Sequence, residues 1–136
     1  MTPLVLDTNV VLDLLVFGDP AAQPVQQGLQ EGALRWLATA AMREELARVL
    51  AYPKLAPRVV FHRGSADAVL EEFDRHVELV EAPAKASVTC GDPDDQKFID
   101  LAVAHRCALV SKDFEVLRMK KRLAQLDVTA TPCLPA

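Results

Sequence analysis

The chain has 136 residues and a formal net charge of −4, enough length for one full hydrophobic core. Hydrophobic residues make up 51% and charged residues 25%, which excludes a disordered chain, and the acidic balance argues against a general nucleic-acid coat while leaving room for an acidic pocket beside a local basic patch. No apolar run approaches the roughly 20 residues needed to cross a bilayer, and Met1-Thr2-Pro3 lacks the basic start of a signal peptide; a cytoplasmic protein with a single domain over residues 1–136 is expected. Cys90, Cys107 and Cys133 are odd in number and form no C-x-x-C pair, so neither a zinc site nor a disulfide framework is expected.

In chain order, Val5-Leu6 leads a short strand that ends at Asp7, and a helix follows from about Asn9 with Val10, Val11, Leu14 and Leu15 apolar. "FGDPAAQP" (Phe17 to Pro24) reads as a loop, and Val25 and Leu29 mark a short helix stopped near Gly32. "ALRWLAT" reads as a second strand, with Thr39 as N-cap of a helix that carries Met42, Leu46, Val49 and Leu50 and ends before Pro53. Residues 53–64, rich in Pro, Arg and His, read as a loop or broken turn. Ser65 caps a helix with Val69, Leu70, Phe73 and Val77 on one side, and "VELVE" is the third strand. Gly91-Asp92-Pro93 opens a helix facing inward at Phe98, Leu101 and Ala102; "CALVS" is a strand that leads to Lys112-Asp113; one helix runs from Phe114 to about Leu126; "VTATPCL" reads as an edge strand. Strands alternating with helices imply a parallel sheet covered on both faces. Such sheets gather ligands at the carboxyl ends of their strands.

Four acidic positions stand out against that frame. Asp7 and Asp113 each follow a strand and precede a helix, where Asp is also a good N-cap. Glu45 falls between turns of the Met42-Leu46-Val49 stripe, while Glu44 points to the opposite face. An inward glutamate needs a partner, and a salt bridge or a stem lying along the core edge is the plain structural alternative. In "GDPDDQKF", Asp92 as N-cap, Pro93 behind it, and Asp94 and Asp95 in the first turn make a good helix start by themselves. Helical phase does not choose between Asp94 and Asp95; Asp100 faces away and reads as solvated. Carboxylates converging at a sheet edge repel unless a hard divalent cation relieves them. His62, His76 and His105 sit in no ligand-like spacing, so an all-oxygen site for Mg²⁺ or Mn²⁺ is expected. Such a metal orients phosphates and activates water for hydrolysis. There is no Gly-rich phosphate loop, so the phosphate must come with the substrate. The basic run Lys112, Arg118, Lys120, Lys121 and Arg122 is either a solvated face or a set of backbone-phosphate contacts.

"VLDTNVVLDLL", "REELARVLAYPKL", "GDPDDQKFIDLAVAH" and "ALVSKDFEVL" match, in order, four blocks of the PIN domain family, which the chain resembles over nearly its whole length. It looks closest to the branch of toxins of toxin–antitoxin pairs. The resemblance implies a three-layer α/β/α fold with a mostly parallel central sheet of Rossmann-like topology. It also implies a Mg²⁺- or Mn²⁺-dependent endoribonuclease that hydrolyses single-stranded RNA. The four acids of the family match Asp7, Glu45, Asp95 and Asp113, as catalytic residues and metal ligands. Asn9, Asp92, Asp94 and Ser111 are candidate supports. An RNA substrate, an antitoxin protein and a second copy of the chain are the partners it suggests. The fourth block departs from the family's usual Thr-Gly-Asp: here it reads Ser111-Lys112-Asp113, and Lys112 either pairs with a phosphate or crowds the metal. Two alternatives stand beside this reading. One is a non-catalytic RNA- or protein-binding module of the same fold. The other is a haloacid-dehalogenase-like phosphatase, which needs a second acid two residues after Asp7, where this chain has Asn9. A receiver-like domain is weaker still, since "VELVE" offers no Asp at its strand end.

Overall fold

The computed structural model describes residues 1–135. Five strands form one all-parallel sheet in the order β3-β2-β1-β4-β5: β1 (Thr2–Leu6), β2 (Leu34–Ala38), β3 (Val77–Leu79), β4 (Ala108–Val110) and β5 (Ala130–Thr131). The central strands are buried on both faces, with Val5, Leu37 and Leu109 all fully inside, as expected where crossover helices cover a parallel sheet. The chain winds outward from β1 to β2 and β3, then returns to the other side of β1 to lay down β4 and β5. Between β1 and β4 the strand order reverses, and that is where α/β sheets open a crevice at their carboxyl ends. The three-layer α/β/α architecture expected from the sequence is the one observed.

The helices are α1 (Thr8–Leu12), α2 (Gln23–Gln30), α3 (Ala40–Leu50), α4 (Ala56–Arg63), α5 (Ala66–His76), α6 (Gln96–His105), α7 (Phe114–Leu117) and α8 (Lys120–Ala124). α1 continues into a π-turn, Asp13–Phe17, which ends at Gly18 in the left-handed region at φ 60°, a conformation glycine adopts without a Cβ clash. In the core Trp36 of β2 meets Phe73 of α5 edge-on, ring centroids 5.1 Å apart.

Several boundaries differ from the sequence expectation. Residues 53–64 are not a loop: Ala56–Arg63 form α4. Pro57 stands in its first turn, where the missing N–H is no loss, and Val59 drives into the core. The expected loop Phe17–Pro24 contains a 3₁₀ turn, Pro20–Ala22, capped by the Asp19 carboxylate, and runs straight into α2 at Gln23. The helix expected from Phe114 to Leu126 is two short ones: Arg118 is the C-cap of the first, and buried Met119 is the N-cap of the second. Only Val77–Leu79 of "VELVE" and Ala130–Thr131 of "VTATPCL" pair as strands. Thr39 does precede α3, but its side chain caps nothing. Asp100 is not solvated: its Oδ1 accepts from the Ala86 N–H at 2.9 Å and from Gln96 Nε2 at 2.8 Å, which pins the segment before α6. Among the described residues no helix is long and apolar enough to cross a membrane, and Cys90, Cys107 and Cys133 are free thiols.

Trp36 is 1% exposed, and replacing a buried aromatic by alanine costs about 3–5 kcal/mol against a total stability of about 5–15 kcal/mol. Trp36→Ala should therefore lower the urea midpoint steeply with an unchanged m-value. A midpoint within error of the parent would mean that the β2–α5 contact is not part of the core.

Candidate metal centre

The β1–β4 register pairs Leu4 with Ala108, Val5 with Leu109 and Leu6 with Val110. Extended by one residue, it sets Asp7 beside Ser111, at the carboxyl end of both strands. The Asp7 N–H still donates to the Val110 carbonyl at 2.9 Å. Its carboxylate lies inside the protein, 4% exposed. Asp7 occupies the N-cap position of α1 with no full side-chain cap bond, although the nearby Asn9 N–H opposes the rise in its pKa. Its Oδ2 accepts from Ser111 Oγ at 2.7 Å. Ser111 is fully buried and its Oγ also accepts from the Asp113 N–H at 3.1 Å. One hydroxyl thus ties the first acid to the backbone of the fourth.

Asp95 arrives from the other side. It ends the 3₁₀ turn Pro93–Asp95 and precedes α6. A 3₁₀ turn has about 3 residues per turn rather than 3.6, and this resolves what ideal helical phase left open: Asp95 points in at 7% exposed, whereas Asp94 is exposed. Asp92 serves the turn itself, its Oδ1 accepting from the Asp94 N–H at 3.0 Å. Asp113 both caps and faces the centre: its Oδ1 accepts from the Glu115 N–H at 2.8 Å, and carboxylate oxygens of Asp7, Asp95 and Asp113 all lie within 4.8 Å of one another.

Three carboxylates at that spacing are electrostatically unfavourable without a counter-charge. Burial pushes the Asp95 carboxyl up to about 7, and the Asp7 and Asp113 charges push the same way. Asp7 is also raised, by burial first, although the Ser111 hydrogen bond opposes the shift. Asp95 Oδ2 is buried with no hydrogen-bond partner, in a fold that otherwise satisfies its buried side-chain polar atoms among the described residues. An orphaned carboxylate oxygen facing two other carboxylates fits a hard divalent cation. The donor set, all oxygen and with no histidine or thiolate, fits Mg²⁺ or Mn²⁺.

Glu45 stands at the edge of this centre rather than in the trio. It is half-buried, and Glu44 is exposed. Its Oε1 accepts from Lys97 Nζ at 2.7 Å and its Oε2 from Thr8 Oγ1. The salt bridge weighed as its structural alternative is therefore present. Lys112 is paired with Asp13 in the π-turn. Arg118 sits 3.5 Å from Glu115 and over the Phe114 ring. Lys120, Lys121 and Arg122 are exposed along α8. Asn9 is exposed on the first turn of α1. Sequence reasoning missed Thr8, Lys97 and Asp13. Each is a partner of a residue it did single out, but only the tertiary fold brings them together; the one local signal was Lys97 itself, a cation two residues after Asp95.

The fold and this site define a doubly wound α/β protein with an acidic centre at its switch point. The PIN domain model matches residues 3–115, and the chain belongs to the PIN domain family. Its fold is similar to a crystal structure of VapBC2 from Rickettsia felis bound to a DNA fragment from their promoter, with a TM-score of 0.65 and 14% sequence identity, covering 95% of this chain and 98% of that one. The sequence matches none of the curated proteins compared with it.

The raised Asp95 carboxyl sets a pH dependence. Between its ordinary value of 3.8 and about 7, the folded state keeps a proton that the unfolded chain has lost. Metal-free stability should therefore fall as pH rises across that window and level off above it. Asp95→Asn should flatten this fall, measured by urea unfolding in EDTA. The rise in melting temperature on adding Mn²⁺ should grow over the same window, because protons compete with the metal. An equal fall in both proteins, or a Mn²⁺ effect that does not change with pH, would place the charge strain elsewhere.

Proposed function

We propose that the protein is a divalent-metal-dependent endoribonuclease that hydrolyses phosphodiester bonds of single-stranded RNA, a single nuclease domain over residues 1–136 acting in the cytoplasm as the toxin of a toxin–antitoxin pair. The observation that carries this reading is the trio Asp7, Asp95 and Asp113, with an unpartnered buried oxygen on Asp95, at the switch point of the sheet. Membership of the PIN domain family supports the nuclease chemistry, and the likeness in fold to VapBC2 supports the toxin assignment and an antitoxin partner.

Asp7, Asp95 and Asp113 would hold Mg²⁺ or Mn²⁺. When bound, such an ion lowers the pKa of a water and offers counter-charge to the leaving oxygen. The chain's own residues prepare the place. Ser111 fixes the rotamer of Asp7 and, through the Asp113 N–H, the start of α7. Glu45, held by Thr8 and ion-paired with Lys97, borders the trio at its rim. Asp92 shapes the turn that presents Asp95. Lys120, Lys121 and Arg122 offer an exposed cationic row for the RNA backbone, with Arg118 beside it; Lys112 contributes less because Asp13 engages it.

Asp7→Asn keeps the shape and removes the charge that would bind the metal. It should lower cleavage of a single-stranded RNA by more than about 100-fold, since changes to supporting groups alone cost 10–100-fold, and excess EDTA should abolish cleavage by the parent. Undiminished cleavage in either case would sink the nuclease reading.

Replacing Lys120, Lys121 and Arg122 by Gln should weaken RNA binding. It should also flatten the dependence of log K on log salt by roughly 0.7 per lost phosphate contact. An unchanged slope would mean that the RNA path avoids α8.

A further inference from the structure

Both oxygens of the Glu45 carboxylate are occupied: Oε1 accepts from Lys97 Nζ at 2.7 Å, and Oε2 accepts from Thr8 Oγ1. Both partners are near neighbours in sequence of centre acids, Thr8 of Asp7 and Lys97 of Asp95. Lys97 Nζ donates again, to the Asp94 carbonyl at 2.6 Å, and its stem passes the Phe98 ring, with Nζ 4.9 Å from the centroid. The pair is well shielded, with side chains 27% and 16% exposed. This is a held position and not a wandering surface lysine. Lys is a compact point charge with three donors, here located where Glu45 borders the trio.

Phosphodiesterase centres that use two divalent ions set them roughly 3.5–4 Å apart, and each ion needs open carboxylate oxygens. Asp7, Asp95 and Asp113 supply one such place. A second ion would need Glu45, whose oxygens each already accept a hydrogen bond, one of them from an ammonium whose positive charge repels a further cation. The charges agree. A single divalent ion leaves two of the four carboxylate charges uncompensated, and the Lys97 ammonium removes one of those without a further metal.

We infer that Lys97 is a built-in cation standing where a second divalent ion would otherwise sit: the centre takes one ion on Asp7, Asp95 and Asp113, and Glu45 is neutralised by Lys97 instead of ligating metal. This rests on the metal reading of the trio and adds its stoichiometry.

The test is Mn²⁺ titration followed by electron paramagnetic resonance, at fixed ionic strength with the chelator removed, on proteins whose circular dichroism matches the parent. The parent should bind one ion. Lys97→Met should release Glu45 and bind two; Lys97→Arg, which keeps the charge, should bind one; and Lys97→Met combined with Glu45→Gln should return to one. Glu45→Gln alone should bind one ion with an affinity close to that of the parent, and this arm stands even if Lys97→Met does not fold. Two ions on the parent, one ion on a folded Lys97→Met, or a loss of about tenfold or more in affinity with Glu45→Gln, the size of a lost metal support, would overturn the inference while leaving the trio a metal site. No Mn²⁺ on the parent would overturn the metal reading together with it.

Discussion

The register between β1 and β4 is the constraint on which the rest depends. Side chains alternate faces along a strand, so a slip of one residue would send Asp7 to the opposite face and carry Leu4, Val5 and Leu6 with it. Those three residues are all buried, so the same hydrophobic packing that fixes the register also fixes the acid. The Asp7–Ser111 hydrogen bond is a consequence of that packing. It converts a strand alignment into a rotamer for a buried carboxylate. Because Ser111 Oγ also accepts from the Asp113 N–H, two acids separated by more than 100 residues of chain are set by a single hydroxyl.

The centre carries strain that the surrounding fold must absorb. Asp95 is raised by burial and by the Asp7 and Asp113 charges, and Asp7 by burial and then by the Asp113 and Glu45 charges, so the metal-free protein is held together despite them. The ionic groups around the trio are arranged in matched pairs: Glu45 with Lys97, Asp13 with Lys112, Glu115 with Arg118. Among the described residues Asp92 stays outside these pairs, and its charge also pushes the Asp95 carboxyl up.

Legibility in the sequence followed how local each determinant is. The alternation of apolar runs and helix starts was enough for the α/β/α class, and strand-end carboxylates were enough to bring out Asp7 and Asp113. Helical phase narrows Asp95 only to a pair with Asp94, and the family resemblance makes the choice, because the 3₁₀ turn that turns Asp95 inward has a tighter winding the sequence does not announce. The Pro-, Arg- and His-rich stretch 53–64 reads as loop, although Pro57 at the first turn of α4 suits a helix start. Asp100 was misplaced because its partner, the Ala86 N–H, belongs to an irregular segment with no periodic signal. The partnerships of Thr8, Lys97 and Asp13 depend on the tertiary fold: Thr8 and Lys97 meet Glu45 across 37 and 52 positions, and Asp13 meets Lys112 from the other end of the chain, distances that spacing does not reveal.

The position of the free cations follows from the same electrostatics. A lysine or arginine beside an acidic trio pairs with the nearest carboxylate before it meets any phosphate, and Lys97 and Lys112 are both spent in this way. Cations meant for a polyanion must therefore stand off from the acids, beyond close pairing range yet on the same approach. Lys120, Lys121 and Arg122 meet the first part of that condition: α7 separates them from Asp113 along the chain, they are exposed, and they make no ion pair among the described residues. Screening shortens the reach of such a row to about 8 Å at physiological salt, so it can attract a backbone locally without neutralising the centre. A net charge of −4 thus conceals two regions of opposite sign on separate elements, an acidic trio at the strand ends and an exposed cationic row on α8.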